Sequence, residues 1–176
     1  MVFSTSDYST SFDRIKTPDG KIHIHIEELV EELQSLASEE PASPTDAYPF
    51  VLTAGEHRGS TVNDIIRDPL WRKKDKDGAL RINPTDADRL GVVDGQRVRV
   101  VTKRGEAEAP ADISDSMMEG QVSLPHGFGM EYPDENGEHK IHGVSVNELT
   151  DLEDRDWLAL TPHHKHVRAR LEAVPG

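Results

Sequence analysis

The chain has 176 residues, no cysteine and a formal net charge of −13 at pH 7, and 35% of its residues are hydrophobic. The lack of thiols excludes disulfide bonds, iron–sulfur clusters and thiolate metal ligands within this chain, while the acidic balance argues against binding nucleic acid, which requires a cationic surface. No apolar run approaches the ~20 residues of a membrane span, and the start lacks the basic-then-apolar order of a signal peptide, so we expect no membrane span and favour a cytoplasmic location.

The first part of the chain is predicted to form an appendage ahead of the main domain. Residues 21–26 alternate polar and apolar side chains, which favours a short strand. Leucine and valine then recur at helical spacing over residues 27–36, which predicts an amphipathic helix. Residues 37–47 are rich in proline, serine and glutamate, as a linker is. We therefore expect an appendage and linker at residues 1–47 and one domain at residues 48–176.

From residue 48 onward the pattern predicts short strands separated by turns, with a few short helices. A buried strand at residues 50–52 leads into a loop with two glycines and a helix at residues 62–67. The remaining predicted elements are a strand at 80–82, a helix at 86–90, and strands at 97–102, 106–113, 122–124 and 166–174. Several short strands with regular turns favour a closed barrel, so the predicted fold class is mainly β with short helices.

The loop at residues 53–61 is the first candidate ligand site. It links a buried strand to a helix N-terminus, where unpaired backbone N–H groups and the helix dipole favour an anion. Gly55 and Gly59 allow the backbone to approach a ligand closely, and Arg58 offers a bidentate donor for a phosphate or a planar heterocycle. The alternative is an ordinary capped turn between strand and helix, which the loop taken alone favours.

Four polar residues in later segments are further candidates. Asp86 is predicted to cap the short helix, with a catalytic acid as the alternative. His126 could contact a ligand, although a single loop histidine is usually just solvated. Asn147 could donate and accept toward an amide-like ring edge, or simply form a turn. Lys165 is a point charge suited to phosphate.

The nine histidines raise the question of a metal site. His163, His164 and His166 are clustered, and His23 and His25 share one face of the predicted strand. A zinc site needs three or four converging ligands and a second shell, and this spacing resembles no standard zinc pattern. We therefore expect no metal ligands from this chain.

Taken in order, the motifs from residue 48 to the C-terminus resemble the molybdopterin dinucleotide-binding domain of the dimethyl-sulfoxide-reductase superfamily, with a formate-dehydrogenase-like character. The most specific part is Ile-Asn-Pro-Thr-Asp-Ala at residues 82–87 with Leu-Gly-Val-Val-Asp-Gly-Gln-Arg-Val at 90–98. The other motifs are Tyr-Pro-Phe-Val-Leu-Thr-Ala-Gly at 48–55, Gly-Gln-Val at 120–122, Pro-His-Gly at 125–127, Asn-Glu-Leu-Thr at 147–150 and Thr-Pro-His-His-Lys at 161–165. Residues 17–36 also resemble the segment that joins a preceding catalytic domain to this one.

The resemblance implies a double-psi β-barrel that helps to hold a molybdopterin guanine dinucleotide, usually as a bis-complex carrying molybdenum or tungsten. The partners would be the preceding catalytic domains of the same enzyme, where the family carries its metal-ligating and iron–sulfur residues, so this chain alone is not expected to be catalytic. Many relatives have arginine directly after the first loop glycine, where this chain has Glu56. The residues implied by position to bind the cofactor are Thr53, Gly55, Glu56, His57, Arg58, Ser60, Thr61, His126, Gly127, Asn147 and Lys165.

Two other functions are compatible with such a barrel. An adaptor domain, like the N-terminal domains of certain AAA-type ATPases, would bind a protein partner and no cofactor, but it leaves the motifs at residues 147–150 and 161–165 unexplained. A self-processing decarboxylase, suggested by Gly59 and Ser60, would cleave its own chain there to form a pyruvoyl group. Gly-Ser pairs are common in turns, which weighs against that function.

Overall fold

A computed structural model of the protein describes residues 8–40, 43–56, 58, 68, 71–72 and 77–175. The chain divides into two compact units, Met1–Ala42 and Ser43–Gly176. Each unit is described by itself, and the domain boundary expected after residue 47 stays a prediction.

The N-terminal unit contains the predicted helix but not the predicted strand. Helix α1 spans Glu27–Ser35, and shorter 3-10 turns lie at Tyr8–Arg14 and Leu36–Ser38. None of the nine residues of α1 is buried. The strand predicted at residues 21–26 is wrong, since these residues have no strand geometry in the structure. Alternation alone does not make a strand, because the backbone must also pair with a neighbour.

The larger unit is a closed barrel of six strands. In order around the barrel, the strands are β1 (Phe50–Glu56), β5 (Gln121–Pro125), β2 (Leu80–Ile82), β4 (Glu106–Ile113), β3 (Arg97–Thr102) and β8 (Val167–Ala173). The pairs β1–β5 and β2–β4 are parallel, and the other neighbours are antiparallel. This is the mainly β, double-psi architecture that was expected.

Alternating side chains fill the barrel. On β1, Phe50, Leu52 and Ala54 are at most 1% exposed, whereas the residues between them are half-buried. On β3, Val98 and Val100 are fully buried in the same way. Each large apolar side chain buried in this manner contributes roughly 1.5–3 kcal/mol of transfer free energy. The period-two pattern is therefore both the sequence signal for the strands and the source of the core.

Helix α2 (Pro84–Leu90) begins differently from the prediction. Asn83 is its N-cap and accepts a hydrogen bond from the backbone N–H of Thr85, so the expectation that Asp86 caps the helix is wrong. With the cap position taken, Asp86 falls in the first turn, is 0% exposed, and accepts a hydrogen bond from the Gly120 N–H at 2.7 Å. Its other oxygen pairs with Arg89 at 2.5 Å.

A two-stranded hairpin lies outside the barrel sheet and was not predicted. Its strands are β6 (Met130–Pro133) and β7 (His139–His142). Asp134 organises the connecting turn, because its carboxylate accepts from the N–H groups of Asn136 and Glu138 and pairs with Lys140. Both strands are half-buried or exposed, so they lack the apolar alternation that marks the barrel strands.

Candidate functional site

Two loops and the end of β1 meet at Gly55. The register of β1 against β5 shifts between Ala54 and Glu56, and Gly55 lies at this bulge with φ +86°. A Cβ placed on Gly55 would lie 3.6 Å from His126 Cβ and 3.9 Å from Lys165 Nζ. Gly55, His126 and Lys165, predicted as candidates from separate motifs, are therefore neighbours in space.

Backbone hydrogen bonds hold these segments together. The Ala54 N–H donates to the His164 carbonyl at 2.7 Å, and the His126 N–H donates to the Glu56 carbonyl at 3.1 Å. The Lys165 ammonium donates to the Gly55 carbonyl at 2.8 Å. An ammonium has three N–H donors, so the bond to Gly55 leaves Lys165 with further donors to offer an anion.

Glu56 is the centre of a charged cluster beside this site. One carboxylate oxygen accepts from Arg58 Nε at 3.0 Å, Arg58 Nη2 at 2.9 Å and the Ser123 hydroxyl at 2.7 Å. The other oxygen pairs with Arg81 at 2.5 Å, and Arg81 also bonds to Asp112 at 3.0 Å. The cluster joins β1, β5, β2 and β4 through side chains.

The surroundings of Glu56 favour its charged form. Burial alone would raise the pKa of Glu56, but hydrogen bonds from Arg58 and Ser123 and the positive charges of Arg58 and Arg81 outweigh it and hold the pKa below its ordinary value. In turn, Arg58 donates from its third nitrogen to the Ala79 carbonyl at 2.9 Å. All three guanidinium nitrogens of Arg58 thus bond to protein acceptors, which holds this side chain between Glu56 and Ala79.

Phe128 anchors the loop that carries His126 and Gly127. Its ring is 7% exposed and lies under the guanidinium of Arg72, 4.1 Å from the ring centroid. Arg72 also donates to the Gly127 carbonyl at 3.2 Å. A Cβ on Gly78 or Gly143 would come within 2.8 Å of the Phe128 ring, so both glycines leave room for it.

Asn147 lies on a different segment. It is exposed in the 3-10 turn Val146–Glu148, which is held by the buried side chain of Leu149 and by a hydrogen bond from the Thr102 hydroxyl to the Leu149 carbonyl at 2.9 Å. Among the residues that the structure describes, no hydrogen bond joins Asn147 to Gly55.

Thr53 is half-buried on β1, opposite Ser123 on β5. Three of the predicted site residues, His57, Ser60 and Thr61, lie outside the described residues. So do the predicted helix at 62–67 and the Gly59–Ser60 pair considered for self-processing.

His164, Arg81 and Ser123 belong to this region, although motif order did not single them out. Within the described ranges, His164 Nδ1 is enclosed and has no hydrogen-bond partner. Buried polar atoms in folded proteins nearly always have hydrogen-bond partners. The described protein atoms supply no such partner for this nitrogen. Arg81 and Ser123 gave no sequence signal because their partner Glu56 is distant in the chain.

In the described part of the chain, no group of three or more His, Cys, Asp or Glu residues could hold a metal ion. In the histidine tract, His163 Nδ1 lies 3.2 Å from the Asp154 carboxylate. Nor does any helix within those ranges have the length and apolar character needed to cross a membrane.

The fold and the loops at Gly55 define a mainly β domain with a closed six-stranded barrel and a polar, glycine-containing site at the end of one strand. The sequence model of the family described as "Molydopterin dinucleotide binding domain" matches residues 50–168. The chain therefore belongs to this family, whose larger enzymes include dimethyl sulfoxide reductase-like and formate dehydrogenase-like oxidoreductases.

Known relatives are much longer than this chain. It is 26% identical to "Probable oxidoreductase YoaE" of Bacillus subtilis over 78% of this chain and 20% of the relative. It is 27% identical to "Putative dimethyl sulfoxide reductase chain YnfE" of Escherichia coli over 87% of this chain and 21% of the relative. The match to "F420-dependent formate dehydrogenase 1 subunit alpha" of Methanococcus maripaludis is 28% identical and covers 66% of this chain and 16% of the relative. The chain thus spans about a fifth of the length of these relatives.

A solved structure supports the fold. "Acetylene Hydratase from Pelobacter acetylenicus" superposes with a TM-score of 0.56 at 17% identity, covering 95% of this chain and 23% of that one. At this identity the likeness concerns the architecture alone.

Family membership assigns molybdopterin guanine dinucleotide as the cofactor class, and the residues present fit such a group. A dinucleotide carries anionic phosphates, for which Lys165 supplies a cation. The ring system needs close access to backbone, which the absence of a side chain at Gly55 permits. His164, whose backbone carbonyl accepts from the Ala54 N–H, also has an enclosed Nδ1 that lacks a hydrogen-bond partner within the described residues.

Proposed function

We propose that this chain holds molybdopterin guanine dinucleotide within a larger oxidoreductase, through the loops that surround Gly55. The observation that carries the proposal is the meeting of Gly55, His126 and Lys165, which come from three separate segments of the family-matched region. In a chain with a net charge of −13, an anionic ligand requires a local cation of this kind.

Each segment has its own task in this proposal. Lys165 neutralises phosphate charge, and its bond to the Gly55 carbonyl keeps the ammonium in place. Glu56 acts as a positioning residue, because it holds the guanidinium of Arg58 in place. Asn147 donates to and accepts from the edge of the pterin. The remaining proposed contacts are Thr53, His57, Arg58, Ser60, Thr61, His126 and Gly127.

The chain contributes binding and orientation rather than the redox step. When bound, the cofactor supplies two-electron chemistry at its molybdenum or tungsten. The preceding catalytic domains, to which residues 1–47 would connect, are the proposed partners and contact the other side of the ligand. We therefore expect the isolated chain to bind the free cofactor weakly, and a submicromolar affinity would contradict a ligand shared between domains.

Cofactor content of the full-length enzyme tests the site. Lys165→Ala and Asn147→Ala should each lower the molybdenum and the guanine nucleotide recovered per protein several-fold, because each removes a polar contact to the ligand. Lys140→Ala is the matched control, since Lys140 is a 55% exposed lysine that pairs with Asp134 in the hairpin β6–β7. Normal loading in both site variants would overturn these assignments and favour the adaptor function, which needs no cofactor.

A formate-dehydrogenase-like activity of the whole enzyme is the finer part of the proposal. It is supported by the similarity to the formate dehydrogenase alpha subunit of Methanococcus maripaludis. The purified full-length enzyme should reduce an artificial electron acceptor when formate is supplied. Turnover confined to the reduction of sulfoxides or N-oxides would remove this part and leave the cofactor proposal intact.

A further inference from the structure

The loop directly before the Lys165 segment has a defined shape that the proposed cofactor site does not use. This Asp156 loop, residues 155–162, is closed at its base by a bridge between Arg155 and Pro162 and by a hydrogen bond from the Asp156 N–H to the Thr161 carbonyl at 2.9 Å. The Asp156 carboxylate then accepts from the N–H groups of Leu158 at 3.0 Å and Ala159 at 2.5 Å. The loop is therefore organised from within.

The tip of the Asp156 loop presents large apolar side chains to solvent. Trp157 is 49% exposed, Leu158 40% and Leu160 53%. Leu160 has a φ of +55° and is, among the described residues, the one non-glycine residue with positive φ. A left-handed conformation costs an ordinary residue roughly 1–2 kcal/mol. A strained residue of this kind persists only where the surrounding structure holds it, and such residues are concentrated at functional sites.

Acidic residues border the apolar tip. Asp151, Glu153 and Asp154 precede it, and Asp156 forms its base. An apolar centre with a charged rim is the usual composition of a protein interface. Glu153 pairs with Lys103 at 3.4 Å and Asp154 with His163 at 3.2 Å, so the rim is polar and its complement is an apolar pocket with a polar rim.

The position of the loop indicates what covers it. Two residues beyond its end, the His164 carbonyl accepts from the Ala54 N–H, and the next residue, Lys165, bonds to Gly55. A domain of the full-length enzyme that covers a ligand at Gly55 therefore approaches the Asp156 loop as well. The relatives are long enough for such a domain, since the matched region makes up about a fifth of their length.

We infer that the Asp156 loop is the docking surface for the rest of the enzyme, which receives Trp157 and Leu160 in an apolar pocket with a polar rim. The inference rests on the proposed function, because it assumes that a second domain shares the ligand. Trp157 is the principal anchor, as buried tryptophan side chains often dominate interface energetics.

Cross-linking in the full-length enzyme tests the contact. A photoreactive phenylalanine, p-benzoyl-phenylalanine, replaces Trp157, and the same substitution at Val93 serves as control because Val93 is 66% exposed on the turn after α2. Mass spectrometry should find cross-links from position 157 to residues outside the 176-residue stretch, at a yield several times that from position 93. Cross-links from position 157 only within this stretch, only to position 157 of a second copy, or absent altogether would each overturn the inference.

A second variant gives a functional readout. Trp157→Ser should increase the rate of cofactor release from the full-length enzyme roughly tenfold, as loss of an interface anchor does, while Val93→Ser should leave it within about twofold. Unchanged release from Trp157→Ser would count against the docking role. The two proposals can fail separately. An enzyme that contains its cofactor but gives no cross-links would contradict only the docking surface. An enzyme that gives cross-links but contains neither molybdenum nor guanine nucleotide would contradict only the cofactor function.

Discussion

The wall of the barrel and the loop end of β1 belong to one strand but depend on different interactions. Along the wall, Phe50, Leu52 and Ala54 are buried at alternate positions. They stabilise the fold because their apolar surface is removed from water. Two residues further on, Glu56 depends on hydrogen bonds and opposite charges from side chains on other elements. The comparison teaches that substitutions in the wall should change stability, whereas those at the loop end should change ligand binding more than stability.

The largest loss of stability is expected at Gly129, where the packing beside Phe128 leaves no space for a side chain. A Cβ on Gly129 would overlap the Ser145 backbone nitrogen and lie 2.8 Å from its Cα, and Gly129 has φ +80°. Gly129→Ala should therefore lower the free energy of unfolding by about 3 kcal/mol or more, combining backbone strain with overpacking. Chemical denaturation of the purified chain measures this.

Gly137 provides a matched control for Gly129. It has the same φ of +80°, but a Cβ there would meet nothing within 4 Å. Gly137→Ala should cost only the backbone strain, roughly 1–2 kcal/mol. Equal losses in the two variants would show that the close approach of Ser145 contributes nothing.

A loss of stability of similar or smaller size is expected at Asp86, a buried polar residue in the first turn of α2. Asp86→Ala should destabilise the chain by about 2–4 kcal/mol, because it leaves the Gly120 N–H without its acceptor and creates a cavity. Asp86→Asn retains an acceptor oxygen and should recover part of the loss. Asp88→Ala, at an exposed position of the same helix, should stay within about 0.5 kcal/mol. If Asp86→Ala matched the Asp88 control, the carboxylate would have no structural role.

At the loop end, Glu56 should give a modest, pH-dependent effect. The pKa of Glu56 is lower in the folded chain, so its contribution is present above the unfolded-state value, about 4.3 for glutamate, and is lost as pH falls through the folded value. Glu56→Gln should reduce stability by roughly 1 kcal/mol at pH 7. Unfolding curves between pH 3 and 7 should show the two proteins converging in acid, and a constant difference across that range would contradict this account.

The smallest change in stability is expected at Lys165. Because its side chain is exposed and makes one hydrogen bond to the Gly55 carbonyl, Lys165→Ala should alter the free energy of unfolding by less than about 0.5 kcal/mol. The same variant should reduce cofactor content in the full-length enzyme. A large destabilisation in thermal or chemical unfolding would instead assign Lys165 to the fold and would remove the contrast between wall and loop end.

The barrel could be predicted from the sequence because its determinants are local. Alternation predicted β3 and β8, and the predicted helix at 86–90 matches the C-terminal part of α2, which ends at Gly91 in the left-handed conformation. The hairpin β6–β7 was missed because its strands are partly exposed and lack apolar alternation. The role of Asp86 was missed because Asn83, three residues earlier, takes the cap position.

The site was only partly predictable. Motif order supplied Gly55, His126 and Lys165, but nothing local indicated that they would meet, since this depends on the order of strands around the barrel. The partners of Glu56 were not predictable for the same reason. Arg81 and Ser123 are adjacent to Glu56 only after β2 and β5 have taken their places.

The pairing of β8 sets a time order for the assembly of the enzyme. This strand hydrogen-bonds to β1, which is made more than a hundred residues earlier, and also to β3. During translation the barrel wall stays open until β8 has left the ribosome, and Lys165 emerges only just before it. Under the proposed function, a nascent chain therefore has no complete receptor for a nucleotide until β8 has paired with β1 and β3, so the cofactor binds only after the whole barrel has been made.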